Sequence, residues 1–277
     1  MDLQVERIKP ALGARIGLDR ARIGEAQLGE QLLALLDEHK VLVFPRIGLS
    51  DAEQLALTES LGARQTFPKL VAEDDDAAEG VYTITLDPKS ILEPEYILGT
   101  FFWHMDGLTM QPPPPKATVL TARRVASKGG QTEFANVQAA YEGLSAEEKA
   151  EFEALRVMHT VTASVREVAA PEELDPKRRD LRHEHPLVWK RKNGRKSLVV
   201  GYTADYVVGQ TKAEGRALLA RLLEWTAQPA FTYRHHWQEG DLVIWDNTAT
   251  LHRVIPYAPD SGRKMHRTSV AGLEAVG

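Results

Sequence analysis

The 277-residue chain reads as a mostly β protein with helices packed outside, of jelly-roll type. Three observations predict this. Short runs with strand character, punctuated by Gly, Pro and Asn/Asp, recur along the chain. Helix signals are fewer and do not alternate one-for-one with those runs, which disfavours a doubly wound parallel sheet. No internal repeat or low-complexity linker divides the chain, so residues 1–277 are read as one domain, and at this size jelly rolls are a common β solution.

The elements follow in order. A helix is expected over 25–39, through LGEQLLALLDEH, then a strand over 40–44 (KVLVF). Ser50 with Glu53 forms the first S/T-x-x-E capping box, in which side chains satisfy orphan backbone donors reciprocally at a helix start. Strands are expected over 80–86 (GVYTITL) and 117–122 (ATVLTA). Ser145 with Glu148 and Thr211 with Glu214 repeat the capping box, the latter opening a helix with Leu218, Leu219, Leu222 and Leu223 at helical spacing. The remaining strands are expected over 197–202 (SLVVGY), 230–235 (AFTYRH) and 241–245 (DLVIW). Residues 69–78 and 168–180 are polar and are expected as solvated loops. The basic cluster Lys190, Arg191, Lys192, Arg195 and Lys196 is expected as a turn around Asn193-Gly194.

Composition excludes several classes. With 34 Lys+Arg against 39 Asp+Glu the net charge is −5, which argues against nucleic-acid binding. The absence of cysteine removes disulfide scaffolds, thiolate metal sites and thiol nucleophiles together. Apolar stretches fall far short of the roughly 20 residues of a spanning helix, and the start MDLQVERIKPALG has no apolar signal region. A cytoplasmic location without a membrane partner is expected.

The chemistry gathers in three places. His104 and Asp106, in FFWHMDGLTM, stand two apart, and on an extended segment both side chains project to one side and can reach one ion. Imidazole with carboxylate suits Fe(II), Mn(II) or Zn(II). By itself H-x-D is weak, but His252 follows the strand in GDLVIWDNTATLHR. Two histidines and one carboxylate make a facial triad that leaves positions open on an octahedral ion. Beyond them, Arg263 and Arg267 lie an even number apart and would share a strand face, where a guanidinium could grip a carboxylate.

The motifs WHMD before a proline-rich stretch, GGQTEFANVQAAYEGLS, GDLVIWDNTATLHR and GRKMHRTSV together resemble the TauD/TfdA group of Fe(II)/2-oxoglutarate-dependent dioxygenases. They occur in the family's order and cover most of the chain. The resemblance implies a double-stranded β-helix, a jelly-roll variant. It implies that His104, Asp106 and His252 are catalytic metal ligands, with Fe(II), 2-oxoglutarate and O2 as cofactor and cosubstrates. Thr132 would hydrogen-bond the distal carboxylate of 2-oxoglutarate, Arg263 would pair with it, and Arg267 would stand near cosubstrate and substrate anion. The implied reaction hydroxylates an unactivated C–H bond with formation of succinate and CO2. Relatives are often dimers or tetramers, so a homo-oligomer is expected.

Departures from the taurine-oxidising members point to the substrate. Phe67 stands where they carry a sulfonate-binding histidine, Leu70 where they carry a tyrosine, and Thr100 where they carry an asparagine. Buried polar ligand groups need partners, so this exchange disfavours taurine. With Phe102 and neighbouring aromatics beside the site, the expected substrate is a small hydrophobic organic acid: an aryloxyalkanoate, an N-acyl amino acid or an alkyl sulfate. The competing readings are a taurine or sulfonate dioxygenase, a metal-dependent hydrolase with the same ligands, and a non-catalytic jelly-roll binding protein. The pair His183 and His185 is expected at the surface, one of His235 and His236 buried, and Trp245 and Asn247 in packing and turn roles.

Overall fold

The computed structural model describes residues 3–67, 71, 76–110 and 113–277. Its largest sheet runs in the order Gln4–Arg7, Ala14–Gly17, Val41–Phe44, Leu242–Asp246, Ala117–Arg124, Lys264–Val270, Tyr82–Ile84. Neighbours are antiparallel except Ala14–Gly17 beside Val41–Phe44. A three-stranded sheet of Thr232–His235, Thr132–Asn136 and Thr250–Val254 lies against it, and a second three-stranded sheet joins Ala204–Val207, Arg156–Thr160 and Arg182–Pro186.

Strand alternation sorts the side chains into two layers. Leu42, Phe44, Leu242 and Ile244 pack beneath Leu28, Leu32 and Leu36 of the helix Ala26–His39 and Leu57 of the helix Asp51–Leu61. The intervening residues Val41, Val43, Val243 and Trp245 turn the other way and meet Leu120, Met265 and Phe134 between the two sheets. A further core, with Trp189, Phe152 and Val199, is closed by Leu219 and Leu222 of the helix Lys212–Thr226. No helix among the described residues is long and apolar enough to cross a membrane.

All three capping boxes form. The expected strands over 80–86 and 197–202 shorten to Tyr82–Ile84 and Lys196–Leu198. Thr132–Asn136 is an unanticipated strand, because its polar sequence TEFAN is buried only through tertiary partners. Glu133, for example, is held by Arg234 Nε at 2.8 Å and Arg253 Nε at 2.7 Å from the strands on either side. The turn at Asn193-Gly194 links Val188–Lys190 to Lys196–Leu198, with Gly194 at φ 82°. Of the two polar segments, 168–180 is not simply a solvated loop: it contains the short helix Pro176–Arg179 and walls a cavity. Much of 69–78 lies outside the described residues. His185 is buried rather than at the surface, because its strand pairs with Arg156–Thr160 and brings it beside the equally buried His159.

Candidate metal and cosubstrate site

His104 and His252 are joined through their backbones: His104 N donates to His252 O at 3.0 Å and His252 N to His104 O at 2.9 Å. This closely spaced pair clamps the H-x-D segment onto the strand Thr250–Val254 and sets the two rings 4.1 Å apart. Asp106 completes the group, its Oδ1 standing 3.8 Å from the Nε2 of each histidine. One ligand atom from each of the three lies within 4.8 Å of the others.

The surroundings prepare each of the three for a cation. The Phe102 carbonyl can only accept, so His104 Nδ1 donates to it at 2.8 Å and Nε2 keeps its lone pair. Asp106 Oδ2 is occupied by Arg267 Nη2 at 2.8 Å and by the Thr118 hydroxyl at 3.1 Å, which turns Oδ1 toward the histidines. Asn247 fixes the backbone beneath it, accepting from Asp106 N at 2.9 Å and donating to Asp106 O at 3.1 Å. Burial would raise the Asp106 carboxyl, but Arg267, His252, His104 and Thr118 together bring it down to about 2. Burial pushes both His104 and His252 down, so near neutral pH the group presents two neutral imidazoles and one carboxylate. Ligands must be deprotonated to bind, and these are.

Register explains why the remaining residues face the same interior. His252 opposes Phe134, and Val254 opposes Thr132, so Thr132 shares the face of His252. Arg267 opposes Leu120, which lies between the sheets. Arg263 precedes that strand, is only 2% exposed, and lays its guanidinium over the Tyr257 ring at 4.7 Å. A Cβ on Gly130, two residues before Thr132, would come within 3.1 Å of Arg263 Cδ and Nε. Among the described residues no carboxylate pairs with Arg263, and its Nη2 has no hydrogen-bond partner. A buried unpaired guanidinium is costly, so this one fits a site for a ligand carboxylate. Thr132 Oγ1 accepts from Trp237 Nε1 at 2.9 Å, which leaves the hydroxyl proton free to donate.

A cavity of about 550 Å³ opens beside Asp106 and Arg267. Phe67 lines it, and its ring lies 5.5 Å from the Arg267 guanidinium. Thr100 lines it too, but its hydroxyl donates to Ile97 O at 2.6 Å and closes the end of the helix Pro94–Gly99. Phe102 stands behind the wall rather than on it, stacked at 4.1 Å on Tyr202, which does line the cavity. Leu70 lies outside the described residues. Sequence reasoning missed Thr118, Trp237 and Tyr202, and gave Asn247 only a turn role. Alternation along Ala117–Arg124 could have placed Thr118 on the inner face, whereas nothing local marks Trp237.

The chain matches the family described as "Taurine catabolism dioxygenase TauD, TfdA family" over residues 4–269. It is 33% identical over 262 residues to the alpha-ketoglutarate-dependent 2,4-dichlorophenoxyacetate dioxygenase of Cupriavidus pinatubonensis, covering 90% of this chain and 90% of that protein. It is 29% identical over 286 residues to an alkylsulfatase of Acinetobacter baylyi, covering 99% of this chain and 87% of the other. The crystal structure of AAD-2 in complex with Mn(II) and N-oxalylglycine superposes with a TM-score of 0.84 at 30% identity, covering 100% of each chain.

Proposed function

The chain belongs to the TauD, TfdA family, its relatives include alpha-ketoglutarate-dependent dioxygenases, and from that premise we propose an Fe(II)- and O2-dependent enzyme that hydroxylates a small hydrophobic organic acid. His104, Asp106 and His252 hold the ferrous ion, and Thr132 and Arg263 hold the distal carboxylate of 2-oxoglutarate. The carrying observation is the convergence of the three ligand atoms within 4.8 Å, together with a buried arginine, Arg263, that no carboxylate among the described residues satisfies. The AAD-2 complex supports the same pairing of metal and cosubstrate, because N-oxalylglycine has the skeleton of 2-oxoglutarate with NH in place of one methylene. A hydrolase using the same three ligands would leave Arg263 without a role.

The arrangement of a large, mostly antiparallel sheet and a small antiparallel one around a shared interior supports a double-stranded β-helix core in one domain over 1–277. When bound, iron with 2-oxoglutarate supplies the oxidising chemistry that couples release of succinate and CO2 to attack on an unactivated C–H bond. The chain's own residues do the rest. Asp106 is kept ionised and oriented by Arg267 and Thr118, and His104 is fixed in one tautomer by the Phe102 carbonyl. Phe67, Ile97, Val161 and Val165 give the substrate an apolar wall that excludes water and holds the target carbon toward the metal.

Aryloxyalkanoates, N-acyl amino acids and alkyl sulfates fit an apolar chamber with Arg267 for the anionic head. The names of the relatives, which include phenoxypropionate and sulfate ester dioxygenases, support the aryloxyalkanoate and alkyl sulfate classes. A cytoplasmic homo-oligomer is the accompanying proposal. The test is a substrate panel with purified protein, Fe(II) and 2-oxoglutarate, scored by succinate and hydroxylated product. Substrate-dependent succinate release with an aryloxyalkanoate, an acyl amino acid or an alkyl sulfate is the expected result. Taurine as the best substrate would overturn the substrate assignment, and metal-dependent turnover without 2-oxoglutarate would overturn the reaction.

A further inference from the structure

Resting on that reading of the cavity, we infer that Arg178 is a positioning residue: its clasp on Glu93 and Tyr96 joins the two segments that roof the chamber, and so decides which acids are held. One segment is the helix Pro94–Gly99 with Thr100, which contributes Tyr96, Ile97 and Gly99 to the wall. The other is residues 161–181, which contributes Val161, Val165, Arg178 and Leu181.

The two segments meet in a small apolar cluster of Val161, Val165 and Leu174, against which Tyr96 packs. It stands apart from the clusters of the sheet interior. Their backbones approach closely enough that a Cβ on Gly99 would come within 3.3 Å of Ser164 O. Arg178 spans the gap. Its Nη1 donates to Glu93 Oε2, and its guanidinium lies over the Tyr96 ring, 4.8 Å from the centroid. One planar group thus serves a carboxylate at its edge and a ring on its face, which lysine cannot reproduce.

The clasp has the strength of a movable part. Arg178 and Glu93 side chains are 25% and 32% exposed, and pairs this accessible contribute little to global stability. Yet Tyr96 is a wall residue, so releasing Arg178 frees the ring that faces the bound acid. The acid then binds less tightly and its target carbon is held less well, while the Thr132 and Arg263 end of the site is untouched. Oxidation of 2-oxoglutarate then runs ahead of hydroxylation, the oxygen atom that no substrate accepts leaving as water with two electrons and two protons drawn from a reductant such as ascorbate added to the assay.

The test compares wild type, R178A, R178K and E93Q as full-length protein, with thermal unfolding checked first. In the loaded enzyme, R178A should raise KM for the best acid about tenfold and lower the ratio of hydroxylated product to succinate. KM for 2-oxoglutarate should stay within twofold. R178K and E93Q should fall between R178A and wild type. In the metal-free protein, amide hydrogen exchange over 161–181 should quicken in R178A and stay unchanged in the central sheet. Unchanged KM, product ratio and exchange would overturn the clasp, as would an equal rise in KM for 2-oxoglutarate. The exchange measurement needs no substrate, so quickened exchange in a protein that turns over no acid would support the clasp while refuting the substrate reading.

Discussion

Arg267 donates from Nη2 to Asp106 Oδ2 across 2.8 Å, and the pairing fixes which carboxylate oxygen faces the histidines. Oδ1 is left 3.8 Å from both Nε2 atoms, while Oδ2 is spent on Arg267 and Thr118. An arginine expected as a substrate anchor therefore also orients the carboxylate of the proposed metal site. A single side chain links the carboxylate to the cavity, since the same guanidinium lies beside the Phe67 ring.

Removing a ligand should end the reaction. His104→Ala or Asp106→Ala is expected to reduce succinate formation to the level without enzyme, and ferrous titration should show lost binding. Succinate release at the wild-type rate in either variant would refute the ligand assignment.

Asn247 holds Asp106 by its backbone from both sides, through bonds of 2.9 and 3.1 Å. Partners of this kind are typically worth about 10- to 100-fold in metal affinity. Asn247→Ala should weaken Fe(II) binding by that order while leaving the fold cooperative, as read by anaerobic titration and by calorimetry.

The cosubstrate end can be graded. Losing a buried charge-assisted pair costs about 3–5 kcal/mol, so Arg263→Ala should raise KM for 2-oxoglutarate by at least about 100-fold. Trp237→Phe removes only the bond from Nε1 to Thr132 Oγ1, worth about 1 kcal/mol, and should raise it about fivefold. Equal KM values for 2-oxoglutarate in wild type and Arg263→Ala would remove Arg263 from the site.

Acid sensitivity has a source other than the three proposed metal ligands. Burial, with a smaller contribution from His185, lowers His159 to about 3, and its Nδ1 lies 2.8 Å from Thr203 Oγ1. In the unfolded chain a histidine takes its proton near pH 6.5. The stability gained by keeping His159 neutral is therefore complete above that pH and is lost as pH falls from 6.5 toward 3. The expected slope is about 1.4 kcal/mol per pH unit. Urea unfolding at pH 7, 6, 5 and 4 should show this slope in wild type and a flatter one in His159→Gln. Parallel curves would assign the acid limb to other groups.

Much of this was legible in the chain itself. The capping boxes at Ser50, Ser145 and Thr211 are local hydrogen-bond patterns and form as written. The buried strands Val41–Phe44 and Leu242–Asp246 were legible because continuous β-branched and aliphatic runs leave little alternative. The family motifs name His104, Asp106, Thr132, His252, Arg263 and Arg267 in order. What only the tertiary structure decided is how these groups are oriented and supported. The backbone pairing of His104 with His252, the support of Asp106 by Asn247 and Thr118, and the bond from Trp237 to Thr132 all join residues with no local relation. The wall role of 161–181 and the burial of His185 belong with them, since a polar stretch shows its burial only through the surface it packs against. Local sequence fixes what a segment can become from forces within a few residues. Which carboxylate oxygen faces a metal, and which hydroxyl is already committed, depends on contacts made only when distant strands close on one another.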